Sequence, residues 1–324
     1  MESFPDLAEP LALYDPHAKS VAAATELAPG ARVFESEEAL LAADIDAVFI
    51  SSPNCKHVPQ SIAAVEAGKH VYVEKPVAHS REHCLRLLEA AKNTDRIISV
   101  GLELRYSPYF GRVKELVAGG AIGTPQLMWC KEFRGPFLKK VDDWIQDSNR
   151  SGGALVEKNC HHFDLMNWWA DSRPTQAFAF GAKDAVEVIG GPDEVIDNAV
   201  VAFRYENGIK GNLILCLFAP GRKEECGLEL GVLGDGGMIQ TRMATADILM
   251  WPRNTKLGEA EVLHVTDSDG ELHGHTGFLE AHETFLSSIA TGRPVRTDVQ
   301  SSVDGTLLAI AAEEAIRTES VVAV

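Results

Sequence analysis

The chain has 324 residues, 45% hydrophobic and 24% charged, with 27 glycines and 15 prolines; this ordinary globular composition sets aside disordered, collagen-like and coiled-coil architectures. Its formal net charge of −17 argues against a nucleic-acid or anionic-membrane surface, because like charges repel. No apolar run reaches the ~18–20 residues needed to span a bilayer, and the amino end carries acids rather than a basic leader. The six cysteines, Cys55, Cys84, Cys130, Cys160, Cys216 and Cys226, include no Cys-x-x-Cys pair and sit mostly in apolar runs. Free thiols in a reducing compartment follow, hence a cytoplasmic location. The length suits two domains, since single cores stop growing at roughly 250–300 residues.

The first hundred residues alternate strand and helix patterns. Leu11–Leu13 reads as a short strand, Ala18–Leu27 as a helix, Val33-Phe34 as a strand and Glu37–Ala43 as a helix. Ala47–Ile50 is a continuous apolar run closed by Ser51-Ser52-Pro53-Asn54, as expected of a strand buried on both faces of a parallel sheet. Val58–Ala67 is helical, His70–Val73 a strand, Arg81–Lys92 a helix and Ile97–Leu102 a strand. This β-α-β rhythm predicts a doubly wound sheet with ligands at the carboxyl ends of its strands.

After about Tyr106 strand patterns follow one another: Gln126–Phe133, Gln176–Phe180, Val195–Tyr205, Ile209–Phe218, Leu228–Leu233, Met238–Thr241 and Ile248–Trp251. Asn207-Gly208 between two of them favours a tight hairpin, because both residues tolerate positive φ. Helices are expected at Gly153–Trp169, Phe278–Ala290 and Val299–Arg317. The fold class is therefore α/β followed by α+β. Residues 1–103 form a Rossmann-type parallel domain, and 104–324 a largely antiparallel open-sheet domain with helices.

Two segments carry chemistry. Val71-Tyr72-Val73-Glu74-Lys75-Pro76 is a buried strand ending in two charges. Such charges are costly to bury unless paired, so they mark either a site or a solvated strand end. Pro76 ends the ladder and aims Lys75. In the second segment, Gly152-Gly153 leads into a helical pattern that sets Glu157, His161 and Asp164 on one face at i, i+4 and i+7. A carboxylate beside an imidazole suits general acid–base chemistry, and a structural histidine on a capped helix is the alternative. No metal is expected: Glu157, Cys160, His161 and His162 cannot all face one point on a helix.

Together these segments resemble the Gfo/Idh/MocA oxidoreductases. Glu74-Lys75-Pro76, the loop Ser52-Pro53-Asn54…His57 and Glu66-Ala67-Gly68-Lys69-His70-Val71 match that family's first domain. The Gly152–Met166 segment resembles its Gly-Gly-x-Leu-x-Asp-x-Gly-x-His-x-x-Asp-Leu helix, and Phe278–Pro294 and Ala311–Arg317 its tail. The resemblance implies an NAD(P)-dependent enzyme that moves hydride between nicotinamide and a secondary hydroxyl of a sugar or cyclitol. Alternatives are an NAD-using glycosidase of the same fold and a non-enzymatic sugar- or nucleotide-sensing relative. Position by position it implies that Asp15 holds the adenosine ribose, favouring NAD over NADP, and that Ser52, Pro53, Asn54, His57 and Glu74 line the cofactor. Lys75 would contact the substrate hydroxyl and the nicotinamide ribose, with His161 as acid–base group and Glu157 beside it. Arg105 and Tyr106 would sit at the substrate mouth with His162, and the second-domain sheet would form a homo-oligomer. The Lys75–Pro76 peptide is expected to be cis.

Two departures stand out. Glu157 and Asn159 replace the family's Asp and Gly, which moves the carboxylate by about one bond and points to a different substrate. The opening strand and Gly-x-Gly-x-x-Gly turn are absent from the sequence, since Met1–Pro10 supplies at most a helix end, and Gly234-Asp235-Gly236-Gly237 reads as a turn. A wrongly assigned start or a shortened chain is expected over a natural degenerate protein, with Asp15 on a strand beside the gap.

Overall fold

The structure is a computed structural model that describes residues 6–137, 139–185, 195–220, 227–253, 259–268, 270–272 and 274–324. Residues 6–10 form a turn and coil rather than the end of a helix. Strand β1 (Ala12–Leu13) and β2 (Arg32–Val33) pair in parallel around α1 (Ala18–Leu27). After α2 (Glu37–Leu41), β3 (Ala47–Ile50), β4 (His70–Val73) and β5 (Ile98–Val100) form a three-stranded parallel sheet joined by α3 (Asn54–Glu66) and α4 (Arg81–Lys92). Among the described residues the two parallel sheets share no strand pairing. Asp15 is not on a strand, as expected, but two residues past β1, where Oδ1 accepts the His17 backbone N–H at 2.8 Å.

The apolar runs of β4 and β5 are explained by cover on both sides. Val71, Val73 and Val100 pack with Val58 and Ala64 of α3 and with Cys84 and Leu87 of α4. Tyr72 packs with Ala281 and Phe285 of α8 (Phe278–Thr291), a helix from late in the chain. Val299, Val303 and Leu307 at the start of α9 (Val299–Thr318) join the first of these cores. Each such side chain, fully buried, contributes about 1.5–3 kcal/mol.

A 3₁₀ turn, Glu103–Tyr106, follows β5 and leads into α5 (Pro108–Ala118), a helix missing from the sequence reading. Beyond it come β6 (Pro125–Phe133), α6 (Ser148–Ser151), α7 (Ala154–Ala170), β7 (Pro174–Ala182), β8 (Asn198–Tyr205) and β9 (Lys210–Cys216). Strands β10 (Leu228–Gly234), β11 (Gly237–Arg242), β12 (Asp247–Pro252) and β13 (Glu261–His264) follow, and β14 (Val322–Ala323) ends the chain. They form one nine-stranded sheet in the order β13-β12-β11-β10-β6-β9-β8-β7-β14. Only β6 and β9 run parallel, so the expected α/β plus mostly antiparallel fold is observed. Gly208 turns the β8–β9 hairpin at φ +88°. One face of the sheet packs on α7 and α9, and nearly all of α7 is buried. The five described cysteines are free thiols, Cys55 and Cys216 half-buried and the others buried; Cys226 lies outside the described residues.

Candidate active site

The site lies where the carboxyl end of β4 meets the first turns of α7. The Lys75–Pro76 peptide is cis. Lys75 Nζ donates to the Glu157 carbonyl at 3.0 Å and to Glu157 Oε1 at 3.1 Å. Burial opposes the lysine's charge, but Glu157 more than compensates, and the ammonium is held protonated. The other carboxylate oxygen of Glu157 accepts from Asn54 Nδ2 at 2.8 Å, and the same amide donates to Ser151 O at 2.8 Å. His57 is wedged between Pro76 O (2.7 Å) and Ser52 O (2.8 Å), which ties the turn after β3 to the turn after β4.

The Gly152-Gly153 pair is dictated by geometry. Both residues have positive φ, +88° and +99°, and a Cβ on Gly153 would collide with the Glu313 carboxylate. Glu313, from α9, accepts the Leu155 N–H at 2.8 Å and so caps the α7 N-terminus. Burial outweighs the Leu155 hydrogen bond and pushes its carboxyl up to about 7.

One helical turn after Glu157, His161 is buried and its Nδ1 faces Glu103 Oε2 at 3.6 Å. Burial drives the imidazole well below its ordinary pKa, so the ring is neutral and able to accept a proton. Burial pushes the Glu103 carboxyl up, but His275, its own backbone N–H and the Lys75 charge pull it down, and Glu103 is the ionised partner of the neutral His161 ring. The second oxygen of Glu103 is 3.6 Å from His275 Nδ1. Sequence reading missed Glu103, a single acid two residues before Arg105, because its partners His161 and His275 come from far along the chain. Cys160 is no nucleophile, because burial pushes its thiol up to about 12.

The structure thus brings Lys75, Glu157, His161, Asn54 and His57 together. It does not bring Arg105, Tyr106 and His162 to the same point. Arg105, expected at the substrate mouth, is instead buried in a bidentate pair with Asp164, with both bonds at 2.6 Å. A buried guanidinium requires such a partner. Tyr106 is likewise interior, its hydroxyl 3.2 Å from Thr297 Oγ1 and accepting the Arg296 N–H at 3.1 Å. His162 points toward β6, where Nδ1 approaches Asn159 (3.0 Å) and Glu132 (3.4 Å). Ser52 Oγ donates to Gln60 at 2.6 Å, and Glu74 Oε2 folds back to accept the Lys75 N–H at 3.3 Å.

Two family profiles match this chain. The profile described as "Oxidoreductase family, NAD-binding Rossmann fold" covers residues 1–102, and the "GFO/IDH/MocA C-terminal domain" covers 110–240. The chain belongs to the Gfo/Idh/MocA oxidoreductase family. Among curated relatives it is 33% identical to the uncharacterized oxidoreductase YrbE of Bacillus subtilis over 51% of this chain and 47% of that protein. It is 35% identical to inositol 2-dehydrogenase 3 of Saccharopolyspora erythraea over 46% of this chain and 42% of that one. The chain thus spans less than half the length of these two Gfo/Idh/MocA relatives. Levoglucosan dehydrogenase of Pseudarthrobacter phenanthrenivorans is 28% identical over 86% of this chain and 79% of its own. In solved form, a levoglucosan dehydrogenase in complex with NADH and levoglucosan superposes with a TM-score of 0.84 at 22% identity, covering 98% of this chain and 90% of that one. The fold is the same.

The strand ends carry polar side chains of the kind that could hydrogen-bond a nicotinamide dinucleotide. Ser51–Pro53, Glu74-Lys75 and Gly101 follow the carboxyl ends of neighbouring parallel strands. A Cβ at Gly101 would stand 3.2 Å from Glu74 Oε2, so the glycine leaves that carboxyl its room.

Proposed function

We propose that this protein is a nicotinamide-dependent dehydrogenase acting on a secondary hydroxyl of a sugar or cyclitol. The observation that carries this reading is the Lys75–Glu157 pair at 3.1 Å with His161 one helical turn beyond, at the end of the parallel sheet. The bound nicotinamide supplies the hydride acceptor. Neutral His161 takes the hydroxyl proton as the carbon is oxidised. Lys75, kept charged by Glu157, holds the substrate oxygen and steadies the charge that develops there. Asn54 fixes the second oxygen of Glu157 and so aims the lysine. Asp15, two residues past β1, disfavours a 2′-phosphate, and NAD is preferred over NADP. The sugar and cyclitol names of the relatives support the substrate class, and Glu157 sets this chain's own preference within it.

The protein acts in a reducing compartment, and its first functional unit ends near residue 103. It works as a homo-oligomer through the open face of the large sheet. There the registers align Phe180, Val200 and Ile214 in one row, 67%, 52% and 37% exposed. No described helix is long and apolar enough to cross a membrane.

The test is nicotinamide reduction by the purified chain on a panel of cyclitols, anhydrosugars and aldoses, with NAD and NADP compared. Reduction of NAD by at least one panel member supports the reading. Hydrolysis of aryl glycosides with no net nicotinamide reduction would replace it with the glycosidase.

A further inference from the structure

The structure also holds an unassigned path between His161 and water. His161, Glu103 and His275 come from α7, from the turn after β5 and from the loop before α8. Their side chains are 8%, 10% and 85% exposed in that order. Glu103 bridges the two imidazoles with separate oxygens, each 3.6 Å from an Nδ1. Buried Nδ1 of His161 has no closer partner among the described residues, although a buried polar atom is costly to leave unmatched. The loop carrying His275 is anchored. Ser107 Oγ and Thr276 Oγ1, both buried, are 2.7 Å apart, and Thr276 also bonds Asp267. Gly277, at φ +85°, lies so close to the turn that a Cβ would meet Glu103 O at 2.3 Å and Ser107 N at 2.5 Å. An exposed histidine on a loop held this tightly is placed rather than incidental.

We propose that Glu103 and His275 carry the hydroxyl proton from His161 to bulk water, a role that rests on His161 being the acid–base group. In the oxidative direction the substrate O–H bond breaks and its proton goes to Nε2 of His161, while the C–H electron pair leaves as hydride to the nicotinamide. The imidazolium then gives up its Nδ1 proton to Glu103 Oε2. Rotation about the terminal carboxyl bond, which is broad and roughly two-fold, presents that proton to His275 Nδ1. The exposed imidazolium releases it to water, which restores Glu103 and His275; His161 is left as its Nε2–H tautomer and returns to the Nδ1–H form by exchanging its ring protons with water before the next turnover. Separations of 3.6 Å are long for proton transfer, but catalytic hydrogen bonds commonly tighten when substrate binds. Besides the two histidines, the groups facing Glu103 are Lys75, Glu74, Tyr72, Cys160 and His282. Of these only Lys75 is a fixed cation, and its direct ion pair is with Glu157, so brief protonation of Glu103 breaks no lysine bridge.

The test uses His275→Ala, whose site is exposed, and Glu103→Gln, which keeps its shape. With NAD and either myo-inositol or levoglucosan at low buffer concentration, each variant should lower kcat about tenfold with little change in KM. Added imidazole should restore His275→Ala but not Glu103→Gln. Without any ligand, exchange of the His161 ring proton with water, followed by nitrogen-15 NMR, should slow by a similar factor in both. Unchanged or faster exchange, or unchanged kcat without buffer rescue, would overturn the path. If His161→Asn is inactive while both relay variants behave as wild type, the path alone fails. If His161→Asn retains full turnover, the dehydrogenase mechanism fails, and the exchange measurement still decides the path.

Discussion

Glu157 has both carboxylate oxygens engaged, one on Lys75 and one on Asn54, and neither is left to orient His161. The imidazole instead faces Glu103, so the i, i+4 spacing set both residues on one face of α7 but did not reveal which partners they take. Two consequences follow at this scale. Lys75→Ala and His161→Ala should each lower kcat by about 10²–10⁴-fold with NAD binding largely intact, measured by initial rates and calorimetric titration. Loss of NAD binding with normal turnover would reverse the assignment. The second concerns pH. The proposed oxidation needs neutral His161, and burial keeps the ring neutral well below its ordinary value of 6.5. The pH profile of kcat/KM for alcohol oxidation should therefore stay level as pH falls through about 6.5, and decline only in more acid solution. A half-maximum at 6.5 would mean that His161 titrates as a solvated imidazole.

Elements were read most reliably where both sides of a pattern were enforced by burial. Ala47–Ile50, His70–Val73 and Arg81–Lys92 fall at the expected residues because their ends carry turn residues and their faces meet the core; Ala18–Leu27 also falls as expected, although none of its residues is buried. Helix α5 went unread although Ser107-Pro108 is a sound helix start and Tyr109, Phe110, Val113 and Val117 share a buried face. The short edge strands β13 and β14 have no alternating apolar pattern to betray them, since they gain only one neighbour each. The start of α3 was placed late because Ser51–Asn54 looked like a loop, yet Asn54 is already helical and turns its amide inward to Glu157.

The cap on α7 has a measurable consequence at the same scale. Glu313 has a folded pKa of about 7, raised from the ordinary 4.5. Stability tied to its protonated form is fully present below about pH 4.5 and is lost as pH rises through about 7. Glu313→Gln keeps an acceptor for the Leu155 N–H without the charge. The variant should melt higher than wild type at pH 8, with the advantage vanishing at pH 4. Identical melting curves across that range would show that the carboxyl is solvated.

At the scale of the whole molecule, late helices close the early sheet: α8 covers Tyr72 and α9 runs from the parallel core to the large sheet. The site therefore exists only when both parts of the chain are folded, which explains why motifs far apart in sequence were legible while Glu103 and His275 were not. Each motif announces itself locally through glycines, prolines and buried charges. A bridging carboxylate shows itself only once three segments meet. The open sheet face gives a further expectation. The proposed homo-oligomer should give way to a smaller species on Phe180→Glu in light scattering coupled to gel filtration, because a charge in that row must be desolvated on association. A wild-type chain that elutes as a monomer would remove the basis for this interface.

The central claim is hydride transfer from a secondary alcohol carbon with His161 taking the proton. The most direct measurement is label transfer: the panel substrate that turns over is prepared with deuterium at the reacting carbon, and the reduced nicotinamide is analysed by mass spectrometry. The account predicts one deuterium in the nicotinamide product with wild-type protein and none formed at a measurable rate with His161→Asn. Turnover of the substrate without deuterium in the nicotinamide, or label transfer undiminished in His161→Asn, would contradict it.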